Sequence, residues 1–152
     1  MKVVWLLFVL ALLLAAGCGA EPEPPATPER TPAPTPEEPK GPKYEILVLL
    51  DAKQLFLFCD EELFKTYTVA VGRLSSPTPK GDFTVKSMIE YPHADAYGSR
   101  WIGLSTPNIG IHGTNRPSSI GKGASRGCIR MRNEDIDELF SYISIGTKVF
   151  IL

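Results

Sequence analysis

The chain has 152 residues, of which 43% are hydrophobic and 22% charged, a composition typical of an ordinary globular protein with one domain. Its 16 basic and 17 acidic side chains give a net charge of −1, which gives no reason to expect a nucleic-acid partner. Proline is distributed unevenly, since nine of the 14 prolines lie between Pro22 and Pro42. The chain therefore consists of three segments that differ in composition.

Residues 1–17 predict a secretory signal. Fourteen uncharged apolar residues, 3–16, follow Lys2. This run has the length of a signal core and is shorter than the ~20 residues that a membrane-spanning helix needs. Small residues then lead to Cys18, and the run resembles a bacterial lipoprotein signal, which is cut before the cysteine so that the thiol can be lipidated. We therefore predict an extracytoplasmic protein anchored to a membrane through Cys18. An ordinary cleaved signal with an incidental Cys18 is the alternative.

Residues 18–42 predict a disordered, proline-rich linker. The segment has nine prolines and five glutamates. Because it has almost no apolar side chains, it cannot bury enough surface to offset the entropy lost on ordering. Proline fixes φ near the polyproline value, so the linker should be extended and semi-rigid. Such a spacer suggests a domain held away from the bilayer, although a linker without any length requirement explains the composition equally well.

Residues 43–152 predict a compact domain that is mostly β. Apolar and β-branched runs at residues 44–50, 54–58 and 63–71, separated by short polar breaks, predict an antiparallel meander. A loop rich in glycine, serine and proline follows. Further strands are predicted at residues 82–90, 100–104, 109–112, 128–131 and 147–152.

One α-helix is predicted near the C-terminus. Asn133 is the predicted N-cap, and acidic residues follow it in the first turn, where they complement the helix dipole. Gly146 is predicted to end the helix. Apolar residues recur with helical spacing and form one buried stripe, at Ile136, Leu139, Phe140 and Ile143.

The predicted domain has two cysteines in different surroundings. Cys59 closes an apolar run and is predicted to be a strand-end or core residue. Cys128 lies within four residues of Arg126, Arg130 and Arg132, and positive charge lowers the pKa of a thiol from about 8.5 and favours the nucleophilic thiolate. Cys128 is therefore the candidate nucleophile, and a disulfide between the two cysteines is the structural alternative.

Glycine and histidine point to the same region. Five of the ten glycines in residues 43–152 lie between positions 110 and 127. Gly127, directly before Cys128, suits an oxyanion hole, although a tightly turning loop also accounts for the glycines. His112 ends an apolar run 16 residues before Cys128 and is the candidate general base. His93 lies in a polar loop and is predicted to be solvated. Without closely spaced ligand pairs, we expect no metal and no organic cofactor.

Motifs around these residues resemble the L,D-transpeptidase (YkuD-type) catalytic domain. The family shows HGT followed by S-(H/R)-G-C-(I/V)-R at about the distance found between residues 112–114 and 125–130. TPxGxF, G-x-R-W and G-T-x-V segments match in order at residues 78–83, 98–101 and 146–149. The resemblance covers about residues 44–152. Arg126 stands where many members have a second histidine.

The resemblance implies a mostly β sandwich and chemistry on peptidoglycan stem peptides. Cys128 would attack the carbonyl of the L-centre in the third stem residue, release D-Ala, and pass the acyl group from the thioester to an amine that cross-links or modifies the wall. His112 would act as base and then acid, and the Gly113 carbonyl would orient its imidazole. The N–H groups of Gly127 and Cys128 would stabilise the oxyanion.

The sequence leaves open the roles of Arg126, Arg130 and Ser125 and two alternative functions. Arg126 and Arg130 are predicted either to bind donor carboxylates or to form structural ion pairs. Ser125 is grouped with the residues that contact substrate, although we expect it to shape the loop rather than react. With water as acceptor the enzyme would be an L,D-carboxypeptidase or amidase. A non-catalytic wall-binding lipoprotein is the third alternative.

Overall fold

A computed structural model describes residues 41–152, so the predictions of a signal and of most of the linker lie outside the described residues. The described part of the chain contains ten strands, one α-helix and two short 3-10 helices. The prediction of a mostly β domain with one helix is confirmed.

The strands form one eight-stranded sheet and one two-stranded sheet. In the large sheet the order is β3-β2-β1-β10-β5-β6-β7-β9, and β4 pairs with β8. The 3-10 helices span Asp95–Tyr97 and Pro117–Ser119, and the α-helix α1 spans Asn133–Tyr142. The strands are β1 (Tyr44–Leu49), β2 (Gln54–Cys59), β3 (Glu62–Thr68), β4 (Val71–Gly72), β5 (Gly81–Glu90), β6 (Arg100–Leu104), β7 (Gly110–His112), β8 (Gly123–Ser125), β9 (Ile129–Arg130) and β10 (Lys148–Ile151).

The predicted meander is confirmed for β1, β2 and β3. Strand β2 pairs antiparallel with both neighbours. Alternate side chains of β1 and β2, such as Ile46 and Leu55, are fully buried, as expected for strands with one face against a core. The third strand ends at Thr68 instead of continuing to residue 71, because Ala70 bridges to Arg130 and Val71 pairs with β8.

The last strand lies in the middle of the large sheet. Strand β10 pairs parallel with β1 and antiparallel with β5, and Val149 and Ile151 are fully buried. The backbone of Leu152 exchanges further hydrogen bonds with Val48 and Leu50. The C-terminus therefore joins the meander to the half of the sheet that carries β6, β7 and β9.

The helix packs Ile136 and Leu139 into the core, as its apolar stripe predicted. Its predicted ends were wrong. Arg132 is the N-cap and has no side-chain capping bond, because the Asn133 side chain is used in contacts outside the helix. The helix ends at Tyr142, before Gly146, because Ile143 is extended and Ser144 and Thr147 close a turn by exchanging hydrogen bonds.

The helix α1 has ten residues. Within residues 41–152 no helix has both the length and the apolar character needed to cross a membrane.

Candidate active site

Two neighbouring parallel strands bring His112 and Cys128 to one cavity. Strand β7 pairs with β9 so that Ile111 lies opposite Ile129 and His112 opposite Arg130. Cys128 directly precedes β9. Both side chains line a cavity of about 650 Å³. The fold thus places the predicted nucleophile and base on a shared wall.

The His112 imidazole is held on three sides. Its Nδ1 is in hydrogen-bond contact with the Gly113 carbonyl. Trp101 stacks on the ring at 5.6 Å between centroids, and Tyr97 meets it edge-on at 4.9 Å. Because a carbonyl only accepts, Nδ1 carries the proton in the neutral ring and Nε2 is left with its lone pair.

The environment of His112 keeps the ring neutral. The side chain is only 2% exposed. The pKa of His112 is lowered to about 4, mainly by burial, with a smaller contribution from the charge of Arg130, while the contact with Gly113 acts in the opposite direction. At neutral pH the imidazole is therefore unprotonated and is able to accept a proton.

Asn133 fixes the loop that follows the histidine. Its Oδ1 accepts hydrogen bonds from the N–H groups of Thr114 at 3.0 Å and Ser99 at 3.4 Å. A Cβ placed on Gly113 would lie 2.4 Å from the same oxygen. Sequence reasoning assigned Asn133 to the helix cap and missed this role, because its partners lie 19 and 34 residues away.

The Cys128 thiol is half-buried, with Sγ 3.5 Å from the Asn108 carbonyl oxygen. Burial raises the pKa of Cys128, while a hydrogen bond from the Gly110 backbone and the charge of Arg130 lower it. The prediction that the arginines make this thiol acidic was therefore wrong in its net direction, because desolvation of the thiolate outweighs the one nearby charge. The resting pair consists of a thiol and a neutral imidazole.

The loop before Cys128 is shaped by Ser125. Its hydroxyl contacts the Cys128 carbonyl and accepts the Gly127 N–H at 3.1 Å. Ser125 is 1% exposed and lines the cavity, and its hydroxyl is engaged in these two contacts within the loop. Its grouping with the substrate-contacting residues stays a prediction. Gly127 has a φ of +117°, and a Cβ there would lie 2.9 Å from Ile109. Glycine is required at this turn.

Both predicted substrate-binding arginines line the cavity. Neither Arg126 nor Arg130 forms an ion pair within the described residues, and Arg130 Nε is buried without a hydrogen-bond partner there. The alternative that these arginines are structural ion-pair partners is therefore not supported. Arg73 and Arg116, which sequence reasoning did not single out, line the same cavity from the position after β4 and from the loop after β7.

The other candidates take no part in this cavity. Cys59 ends β2 and has a free thiol, as does Cys128, so the disulfide alternative was wrong. His93 is exposed, as predicted. In the part of the chain that the structure describes, no three His, Cys, Asp or Glu side chains come together in a way that would hold a metal ion.

A family model of the L,D-transpeptidase (YkuD) catalytic domain matches residues 43–151. This chain belongs to that family. The YkuD proteins of Bacillus licheniformis and Bacillus subtilis are 46% and 44% identical to it over 108 residues, which cover 71% of this chain. The match spans 65% of the length of each relative. The YqjB protein of Bacillus subtilis is 35% identical over 122 residues, covering 70% of this chain and 69% of YqjB.

Solved L,D-transpeptidase structures have the same fold. L,D-transpeptidase 3 from Mycobacterium tuberculosis superimposes with a TM-score of 0.67 at 18% identity, covering 74% of this chain and 62% of that structure. The catalytic domain of the Enterococcus faecium L,D-transpeptidase has a TM-score of 0.63 at 24% identity, covering 72% of this chain and 97% of that domain. The L,D-transpeptidase fold predicted from the motifs is confirmed.

Proposed function

We propose that this protein is a peptidoglycan L,D-transpeptidase with Cys128 as its nucleophile and His112 as its base. One observation carries the proposal. The buried imidazole has its Nδ1 committed to the Gly113 carbonyl and its Nε2 lone pair available, and it shares a cavity with the only cysteine that lies in the family motif. Membership of the family supports the same reaction class.

The first half-reaction acylates the enzyme. His112 Nε2 takes the thiol proton as Cys128 Sγ attacks the carbonyl carbon of the third stem residue. The Cys128 N–H is the proposed donor to the oxyanion, because the Gly127 N–H already donates to Ser125. The C–N bond to D-Ala then breaks, and His112 returns the proton to the departing amine.

The second half-reaction transfers the acyl group. An amine of a second stem loses its proton to His112 and attacks the thioester, which releases Cys128 as the thiol. A neutral imidazole at pH 7 suits both steps because each begins with proton acceptance. Water in place of the amine would give a tripeptide, and the reaction would then be that of an L,D-carboxypeptidase.

Arg126 and Arg130 are proposed to bind donor carboxylates. Guanidinium groups bind carboxylates bidentately, and these two have no acidic partner within the described residues. Arg130→Lys keeps the charge and loses the planar fork, whereas Arg130→Ala loses both. Acylation rates that decrease from wild type to Lys to Ala support binding. Wild-type activity in both variants removes Arg130 from the site.

The reaction is tested by mass spectrometry of the purified full-length chain incubated with tetrapeptide muropeptides, beside Cys128→Ala. The expected product is a dimer that lacks one D-Ala and is absent with the variant. A tripeptide monomer alone would assign the enzyme to the hydrolases. If the dimer also forms with Cys128→Ala, the proposed nucleophile is wrong. If neither protein forms a product, a wall-binding role replaces catalysis.

The extracytoplasmic location is proposed together with lipidation of Cys18 and a spacer function for residues 18–42. A lipid anchor and a stiff linker would suit an enzyme whose substrate lies above a membrane. Cys18→Ser should move the protein from the membrane to the soluble envelope fraction. Cross-linking that is unchanged after residues 21–40 are shortened would contradict the spacer role.

A further inference from the structure

The charges that line the active-site cavity all have one sign. Four arginines contribute to its wall, and no aspartate or glutamate of the described residues does so. They come from three separate parts of the chain: Arg73 follows β4, Arg116 precedes the second 3-10 helix, and Arg126 and Arg130 flank Cys128. The cavity therefore presents several cations to whatever it binds.

These charges are not neutralised inside the protein. The salt bridges within residues 41–152 involve Lys43, Lys65, Arg100 and Lys148, and none involves an arginine of the cavity. The Arg130 Nε is buried without a partner in this part of the chain. Arg130 is half-buried, and a half-buried cation without a counter-charge is costly, so an anionic ligand would offset that cost. Arg73, Arg116 and Arg126 are exposed, and their charges add to the positive potential of the cavity.

The backbones that carry the two outlying arginines are fixed. The Arg73 N–H donates to the Ser125 carbonyl at 3.1 Å, and the Arg73 carbonyl accepts from Ser76 at 2.9 Å. The Arg116 N–H donates to Thr114 Oγ1 at 3.0 Å, and the Arg116 carbonyl accepts from Ser119. Both side chains are exposed, and they therefore extend to the cavity wall from backbone positions that are fixed beside the catalytic loop.

We propose that Arg73 and Arg116 make this active site selective for donor peptides with several free carboxylates. This inference rests on the proposed function. A donor that offered only its terminal carboxylate would engage one guanidinium. Four guanidinium groups in about 650 Å³ suit a stem whose second and third residues also carry carboxylates. A stem with those groups amidated is neutral there and forms no charge-assisted hydrogen bonds with Arg73 and Arg116.

The test compares two tetrapeptide donors with the full-length enzyme. One has free carboxylates on its second and third residues, and in the other both are carboxamides. The readout is kcat/KM for formation of the Cys128 adduct, followed by mass spectrometry. We expect the free-acid donor to react about tenfold faster than the amidated donor with the wild-type enzyme. Arg73→Gln and Arg116→Gln should slow the free-acid donor severalfold, leave the amidated donor within twofold, and so lower the ratio.

Arg132→Gln is the matched control, because Arg132 is exposed like Arg73 and Arg116 but does not line the cavity. It should leave both rates and their ratio within twofold of wild type. Equal wild-type rates for the two donors, or arginine variants that slow both donors equally, would overturn the selectivity while leaving the transpeptidase proposal intact. A wild-type chain that forms no adduct with either donor would contradict the proposed function itself, and this inference with it.

Discussion

Among single residues, the proposed catalytic pair of His112 and Cys128 is neutral at rest. The two environments move the pKa values of His112 and Cys128 apart, since burial disfavours the charged form of each group. Because the pKa of His112 is lowered and that of Cys128 is raised, the thiol does not transfer its proton to the imidazole before substrate binds, and no ion pair forms. In the proposed reaction, proton transfer therefore accompanies attack on the donor carbonyl, and a resting thiol reacts more slowly than a thiolate with other electrophiles.

The acid limb of the pH–rate profile should report this burial. The reactive form needs unprotonated His112, so kcat/KM for acylation should stay within about twofold from pH 7 to pH 5 and decrease as the pH falls through about 4. A histidine with the ordinary pKa of about 6.5 would already cost roughly thirtyfold at pH 5. Because the charge of Arg130 lowers the pKa of His112, Arg130→Gln should shift the limb to higher pH. Arg132→Gln should leave it in place, and a wild-type midpoint near 6.5 would contradict the buried, neutral base.

Ser125→Ala tests the residue that shapes the nucleophile loop. The change leaves the buried Gly127 N–H without its acceptor and removes a bond to the Cys128 carbonyl. We expect a loss of about 1–3 kcal/mol in the free energy of unfolding, measured by urea denaturation, and slower acylation. Ser141→Ala, at an exposed serine of α1, is the control and should change the free energy of unfolding by less than about 0.5 kcal/mol. Equal changes in the free energy of unfolding for the two substitutions would show that the Ser125 hydrogen bonds do not stabilise the loop.

Among the elements, the start of α1 supports the candidate site as well as the two strands β7 and β9. Helix α1 packs against β6 and β7 through Ile136 and Leu139. This contact places the side chain of its first residue, Asn133, against the backbone of residues 98–99 and 113–114. Gly113 is needed after His112 because the Asn133 side chain lies so close that a Cβ at this position would clash with it.

Asn133→Ala should damage both stability and catalysis. It removes the acceptor of the Thr114 and Ser99 N–H groups, for an expected loss of about 1–3 kcal/mol in the free energy of unfolding. The loss of positioning should reduce kcat for acylation more than it raises KM. Asn133→Asp keeps an oxygen acceptor and should recover most of the stability. Its carboxylate should also shift the acid limb of His112 to higher pH. Similar kcat and pH profiles for the Ala variant and the wild type would show that Asn133 does not position the histidine.

At the scale of the whole molecule, the C-terminus completes the sheet. Strand β10 lies between β1 and β5, so the meander and the strands that carry the site have no common sheet until the last residues of the chain are in place. Strand β10 is the last strand in the sequence but lies in the middle of the sheet, so its pairing joins residues that are far apart in the chain. The stability of the site therefore depends on residues far from the cavity.

Ile151→Ala tests this coupling. Ile151 is fully buried in β10, and truncation of a buried isoleucine costs about 2–5 kcal/mol. We expect a loss of that size in urea denaturation, together with a single cooperative transition for both halves of the sheet. Lys148→Ala on the exposed face of the same strand should cost less than about 0.5 kcal/mol. Two separate transitions would contradict a sheet that unfolds as one unit.

Local periodicity and short motifs predicted the strand-rich domain, the helix with its buried stripe, and the candidate pair His112 and Cys128. Three features could not be predicted because each joins residues that are distant in the chain: the placement of β10, the contact between Asn133 and the histidine loop, and the convergence of Arg73 and Arg116 on the cavity. These depend on the folded structure. It also decided the net shift of the thiol pKa, since flanking arginines can be read from sequence whereas the desolvation that outweighs them arises only when the core closes around Cys128.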